Sequence, residues 1–188
     1  MFALSLDGVI QTEGTDFEKY YAELPDDRAH ERAIVESIAN AILHAVGRVT
    51  YESMAQYFPN VTHEDGANPM TTSAIDEAMN RIPKAGFSKT LDFADWARTT
   101  IVRGDTKEEL ERLRHGGDGY ILVHGGASFA GALVELDVVD EYRITVCPYV
   151  AATGPRLLPA EQAARTLELV SCDSFSNGLV RLVYRRRR

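Results

Sequence analysis

Apolar and polar positions recur along the chain at two different periods, and the switches between them mark out its elements. Phe2 to Leu6 is a short apolar run of β character, broken by Asp7-Gly8 and resumed at Val9-Ile10. Gln11 to Thr15 is a polar loop. Phe17, Tyr20, Tyr21 and Leu24 then mark one face of a short helix or an ordered loop, a choice their spacing leaves open. Pro25-Asp26-Asp27 starts a helix, since proline suits the first turn and acids complement its dipole, and Ala33, Ile34 and Ile38 form its apolar side. Ala41 to Val46 predicts the second strand. A helix follows with Thr50 as its N-cap and ends by Pro59. Asn60 to Pro69 is polar and reads as a loop. Thr71-Thr72-Ser73 caps a helix through Arg81, with Ile75, Met79 and Ile82 on one face.

Lys84 to Phe87 and the β-branched run Thr99 to Arg103 read as strands. Leu91, Phe93 and Trp96 form an apolar cluster in the segment between them. Thr106-Lys107-Glu108-Glu109 has the spacing of a capping box, with Leu110 and Leu113 behind it and Gly116 at the end. Tyr120 to His124 is a buried strand, Gly125-Gly126 a tight turn, and Ala127 to Leu136 a helix. Glu141 to Val146 alternates, placing Tyr142, Ile144 and Val146 on one face. Leu167 to Val170 and Leu179 to Tyr184 are the last strands, and Ser176-Asn177-Gly178 signals the hairpin between them. Strands alternate with helices as far as Val146, and β structure follows alone. The pattern predicts an α/β fold: a mostly parallel sheet flanked by helices, finished by an antiparallel hairpin, in a single domain over residues 1–188.

Composition narrows the function classes. The 188 residues are 45% hydrophobic, as in ordinary globular proteins. A net charge of −8 repels nucleic acid. The run Arg185 to Arg188 is the exception and reads as a solvated terminus. Cys147 and Cys172 fit neither a disulfide scaffold nor a metal site, so a reducing cytoplasmic compartment is expected. No apolar run approaches a membrane span, and MFALSLDGVI lacks the basic region of a secretory signal.

The candidate chemistry lies in three loops, each after an apolar strand. They are Gly47–Ser53, Ser88–Thr90 and Gly125–Ser128. In a parallel sheet the loops after the strands share one edge, where ligands bind. Glycine, hydroxyls and a cation on all three match a phosphate-rich ligand. Arg48 and Thr50 suit a phosphate at a helix start, and Ser88, Lys89 and Thr90 suit an isolated one. Gly125-Gly126-Ala127-Ser128 suits a pyrophosphate on a helix N-terminus. The competing readings are ordinary turns, a solvated or salt-bridged surface Arg48 and an exposed Lys89. His44 and His124 read as packed residues.

SLDGVI, GRVTYESM, FSKTLDF, ILVHGGASF and VDEYRITVCPYV occur in this order. Together they resemble the dihydrofolate reductase-like superfamily, in the branch that includes the reductase domain of the bifunctional riboflavin-biosynthesis enzyme. The resemblance covers nearly the whole chain and implies an NADPH-dependent reductase. It maps Gly47, Arg48 and Thr50 onto a cofactor phosphate loop, and Ser88, Lys89 and Thr90 onto the adenosine 2′-phosphate. It maps Gly125, Gly126, Ala127 and Ser128 onto the pyrophosphate turn, and the backbones of Ala3 and Ile10 onto the nicotinamide carboxamide. It implies that Asp7 stands at the mouth of the active site as substrate contact and proton donor, against the alternative of an ordinary Asp-Gly turn, and that Tyr51 faces the substrate or packs in the core. The resemblance further implies a small pteridine- or pyrimidine-type substrate and a homodimer.

Three departures accompany the match. The first strand is shorter than in the family, so either the start is misassigned or the sheet lacks part of a strand. The folate-protonating acid has no counterpart by motif among Asp16, Glu18, Asp26 and Asp27. Cys147 and Cys172 cannot supply the zinc signature of a deaminase, so the chain is expected to be reductase-only. The alternatives are a non-catalytic nucleotide- or pteridine-binding protein on the same fold, and a flavin-binding protein.

Overall fold

A computed structural model describes residues 1–62, 71–158 and 164–187. Most of the loop expected over Asn60–Pro69 lies outside the described residues. The chain packs as two compact units: Arg28–Gly126, and the pair of segments Met1–Asp27 and Ala127–Arg188.

The Arg28–Gly126 unit is built on four parallel strands, β2 (Ala41–Gly47), β3 (Lys84–Phe87), β4 (Thr99–Val102) and β5 (Tyr120–Val123), in the order β4-β3-β2-β5. Strand β3, the sequence KAGF, is buried at all four positions, the continuous burial expected of a strand covered on both faces. The helices are α2 (Arg28–Ala39), α3 (Arg48–Tyr57), α4 (Ser73–Arg81) and α5 (Thr106–Arg114). Two caps differ from expectation. Helix α3 starts at Gly47, which supplies no side-chain cap, so Thr50 lies inside the first turn. Helix α5 is capped by Asp105, whose carboxylate accepts from the Lys107 and Glu108 amides at 3.0 and 3.1 Å, and Thr106 is its first residue. A carboxylate one position earlier is the stronger acceptor for the open N–H groups, so it takes the role the hydroxyl was assigned. Thr72 caps α4 as expected, with its hydroxyl accepting from the Ile75 amide.

The other unit holds β1 (Phe2–Ser5), β6 (Glu141–Cys147), β7 (Leu167–Ser174) and β8 (Val180–Arg186), in the order β1-β6-β8-β7. Only β1 and β6 run parallel in it. The β7–β8 hairpin turns at Ser176-Asn177-Gly178, with Gly178 at φ +84°. The segment left open between helix and loop is a helix, α1 (Asp16–Ala22), capped by Thr15, and α6 spans Ala127–Glu135. Phe17, Cys147 and Leu179 form a core, and Tyr149 stacks between Phe17 and Tyr20. Tyr142, Ile144 and Val146 share one face of β6, with Tyr142 buried and Ile144 and Val146 half-buried, while Thr145 and Cys147 are buried on the opposite face. No helix among the described residues is long and apolar enough to cross a membrane.

Candidate functional site

Register brings the expected loops to one edge. Gly47 ends β2 beside Phe87, which ends β3, and Phe87 lies beside Val102 at the end of β4. On the other flank Ala45 pairs with Val123, so His124 and Gly125 leave β5 next to Val46 and Gly47. Gly47-Arg48, Ser88-Lys89-Thr90 and Gly125-Gly126 therefore emerge together where the parallel strands end, the place such sheets hold ligands.

The contact between the first and third loops is tight. Gly125 and Gly126 adopt φ of +80° and +78°, which only glycine takes without strain. A Cβ on Gly125 would lie 2.9 Å from Thr50 Cγ2 and 3.2 Å from Met54 Cε. Glycine is thus required here by both conformation and space. The open start of α3 beside this turn presents amide donors and the positive end of a helix dipole, which fits a phosphate. Arg48 lies on the first turn, half-exposed, and pairs with Glu52 at 2.8 Å, the salt-bridged alternative weighed from the sequence. Gly126 is the last residue of this unit, and Ala127 and Ser128 open α6 in the other.

The second loop is preformed. Ser88 Oγ accepts from the Thr90 and Leu91 amides at 3.1 and 2.9 Å, closing a local turn. The Arg103 guanidinium donates to the carbonyls of Lys89 (3.1 Å) and Leu91 (2.5 Å). The side chains of Lys89 and Thr90 stay exposed. The apolar cluster expected in this connection is split: Trp96 is buried, but Phe93 is 74% exposed. Trp96 takes the interior because its neighbours hold it there. It stacks on Phe58, donates from Nε1 to Asn80 Oδ1 at 2.8 Å, and lies under the Lys84 ammonium.

Lys84 is a charge that sequence reasoning missed, because a lysine at the start of a short strand reads as exposed. It is 1% exposed, and Nζ donates to the carbonyls of Ile82 (2.8 Å), Asn80 and Ala97 (3.3 Å each). Burial, with the nearby Arg98 charge, pulls its pKa down to about 8. Tyr51 is 2% exposed, with its hydroxyl between Trp96 and Asp95, so the packing alternative describes it. His44 and His124 are held neutral by burial, with pKa values down at about 4 and about 3. Among the described residues no three His, Cys, Asp or Glu side chains group as metal ligands.

The remaining candidates lie in the β1–β6 unit. Asp7 Oδ1 accepts from Ser5 Oγ at 2.6 Å and the Ala151 amide at 3.0 Å, and Oδ2 from the Ala152 amide at 3.0 Å. The Ser5 hydroxyl above all, then the Ala151 amide, holds the carboxyl below its usual range. Asp7 is thus kept ionised and ties the β1 turn to the 151–156 segment, where Arg156 donates to its carbonyl. The Ala3 carbonyl accepts from the Gln11 amide, and the Ile10 amide donates to Pro155. Of the unmatched acids, Asp27 is fixed by Ser176, Glu18 by the Gly14 amide and Asp16 by Lys19.

Comparison with known proteins gives the family and the fold. The RibD C-terminal domain family matches residues 1–181. An uncharacterised Bacillus subtilis (strain 168) protein, YyaP, is 28% identical over 182 residues, covering 97% of this chain and 90% of its own. The crystal structure of a putative riboflavin biosynthesis protein from Shewanella sp. PV-4 superposes with a TM-score of 0.72 at 18% identity, over 100% of this chain and 97% of that one. That of a pyrimidine reductase-like protein from Corynebacterium diphtheriae gives 0.66 at 15% identity, over 100% and 90%. At these identities the structures share the fold, α/β with a parallel sheet and an antiparallel hairpin. With the family matched over nearly its full length, the chain belongs to the RibD C-terminal domain family.

Proposed function

We propose that the protein is an NADPH-dependent reductase acting on a small pyrimidine- or pteridine-type heterocycle. One observation carries the reading: the loops after β2, β3 and β5 share an edge, with an open helix start at Gly47 packed against a glycine turn at Gly125. The family, and a structural neighbour described as pyrimidine reductase-like, support a reductase reading. In this reading Gly47, Arg48 and Thr50 bind one phosphate, and Gly125 and Gly126 let the pyrophosphate approach the backbone. Ala127 and Ser128 continue that turn. Ser88 shapes the second loop, so that Lys89 and Thr90 meet the adenosine 2′-phosphate. Arg48 exchanges part of its pairing with Glu52 for the ligand. Ala3 and Ile10 keep their assignment to the nicotinamide side through backbone groups.

The bound cofactor supplies the hydride, and the protein's part is to bind and orient. Asp7, ionised and accepting three hydrogen bonds, acts as an acceptor and an anchor rather than as the proton source. That observation also favours a second reading, a nucleotide-binding protein on this fold without turnover. We further propose a homodimer, supported by Leu169 and Val170, 52% and 49% exposed on the edge strand β7, and a cytoplasmic location, supported by the free thiols of Cys147 and Cys172.

Fluorescence titration with NADPH and NADH, repeated on Lys89→Ala, tests the site. Tight NADPH binding with a selective loss in the variant is expected, and binding of neither nucleotide would sink the proposal. NADPH oxidation in the presence of pyrimidine or pteridine substrates separates the reductase from the inactive binder.

A further inference from the structure

Tyr51 stands four residues into α3, the helix whose start forms the first phosphate loop. Its ring is buried against β3, where a Cβ on Gly86 would lie 4.0 Å from Tyr51 Cδ2. Its hydroxyl accepts from the backbone amide of Trp96 at 3.1 Å and donates to Asp95 Oδ1 at 3.4 Å. Asp95 and Trp96 belong to the β3–β4 connection, the segment that also carries Ser88, Lys89 and Thr90. Arg103 ties this connection to the end of β4 and Lys84 ties it to β3. Tyr51 ties it to α3. One phenol therefore joins the helix that begins the first loop to the segment that carries the second.

We infer that Tyr51 is a positioning residue that sets the spacing between the two phosphate-binding loops, and hence the preference for a nucleotide bearing an adenosine 2′-phosphate. The inference rests on the nucleotide-site reading given above. The physical reason is that two anionic groups on one ligand must be met at once. A donor set held at fixed separation pays no ordering cost for the second contact. A nucleotide lacking the 2′-phosphate does not engage Lys89 and gains nothing from the tie. A phenol that only fills the core would affect both nucleotides alike.

Tyr51→Phe keeps the ring and removes the hydroxyl, leaving the Trp96 amide without that acceptor. Titration of the wild type, Tyr51→Phe and Lys89→Ala with NADPH and NADH reads the effect. Trp96 is the one tryptophan in the chain, so its emission reports the connection directly. The expected result is a loss of about tenfold in NADPH affinity in Tyr51→Phe, with NADH changed less than twofold and a shift in Trp96 emission. An unchanged NADPH-to-NADH ratio in Tyr51→Phe, with a selective loss in Lys89→Ala, overturns this inference alone. A wild type that binds neither nucleotide overturns the site reading and this inference with it. Should Tyr51→Phe not fold, hydrogen exchange at the Trp96 amide in the wild type decides: greater protection with NADPH than with NADH supports the tie, and equal protection overturns it.

Discussion

His44 is completely buried in β2, and its Nε2 lies 3.3 Å from the His124 carbonyl at the head of the glycine turn. A carbonyl only accepts, so Nε2 carries the proton. Nδ1 of each histidine is buried without a hydrogen-bond partner among the described residues. Protonation would place charge there, so burial holds the folded-state pKa values near 4 and 3, below the ordinary 6.5. The sign follows: between pH 6.5 and about 4 the unfolded chain takes up protons that the folded chain refuses. Stability is therefore complete above pH 6.5 and falls on acidification, by up to roughly 1.4 kcal/mol per pH unit for each histidine. Urea unfolding at pH 7, 5.5 and 4.5 should show this slope, and His44→Gln should reduce it. A slope unchanged in the variant would assign the acid sensitivity to other groups. Both histidines were recognisable in the sequence as packed residues. The buried Lys84 was not, because its partners are backbone carbonyls, and backbone carbonyls have no sequence signature.

Element ends show the same division. Thr72 was legible as a cap, and its hydroxyl also donates to Glu31 Oε1 at 2.6 Å, linking α4 to α2. Asp105 displaced Thr106 as the cap of α5. Asp105→Ala is expected to destabilise the protein by about 1 kcal/mol, whereas Thr106→Ala should fall within about 0.5 kcal/mol of the wild type. Chemical denaturation of the two variants checks this, and equal losses would return the cap to Thr106. At the β5 turn, Gly125→Ala meets both a left-handed backbone and Thr50. It should cost at least about 1–2 kcal/mol in stability and weaken NADPH binding more than tenfold. An alanine variant with wild-type stability and affinity would remove the turn from the site. The glycine pair was readable as a close approach. That the approach is to Thr50, rather than to a ligand alone, depended on strand register.

The Arg28–Gly126 unit is inserted between the two segments of the other unit, and β1 pairs with β6 across that long separation in sequence. We expect the chain, read as one domain, to unfold in a single transition whose calorimetric and van't Hoff enthalpies agree. Two resolved transitions would make the units separate domains. Size-exclusion chromatography with light scattering should return twice the 20.8 kDa chain mass, and a monomer would refute the dimer.

The sequence by itself determined the alternation of strands and helices, the hairpin, the glycine turn and the family resemblance. These follow from local periodicity, turn chemistry and contiguous motifs, which neighbouring residues fix without reference to the rest of the chain. Only tertiary structure decided that the strands pair as two four-stranded sheets and that Gly125 abuts Thr50. It alone showed Lys84 and Tyr51 buried, Phe93 exposed and Asp7 spent on hydrogen bonds. Each of these depends on which distant segment arrives beside a residue. Burial and hydrogen bonding are properties of that meeting, not of the residue type.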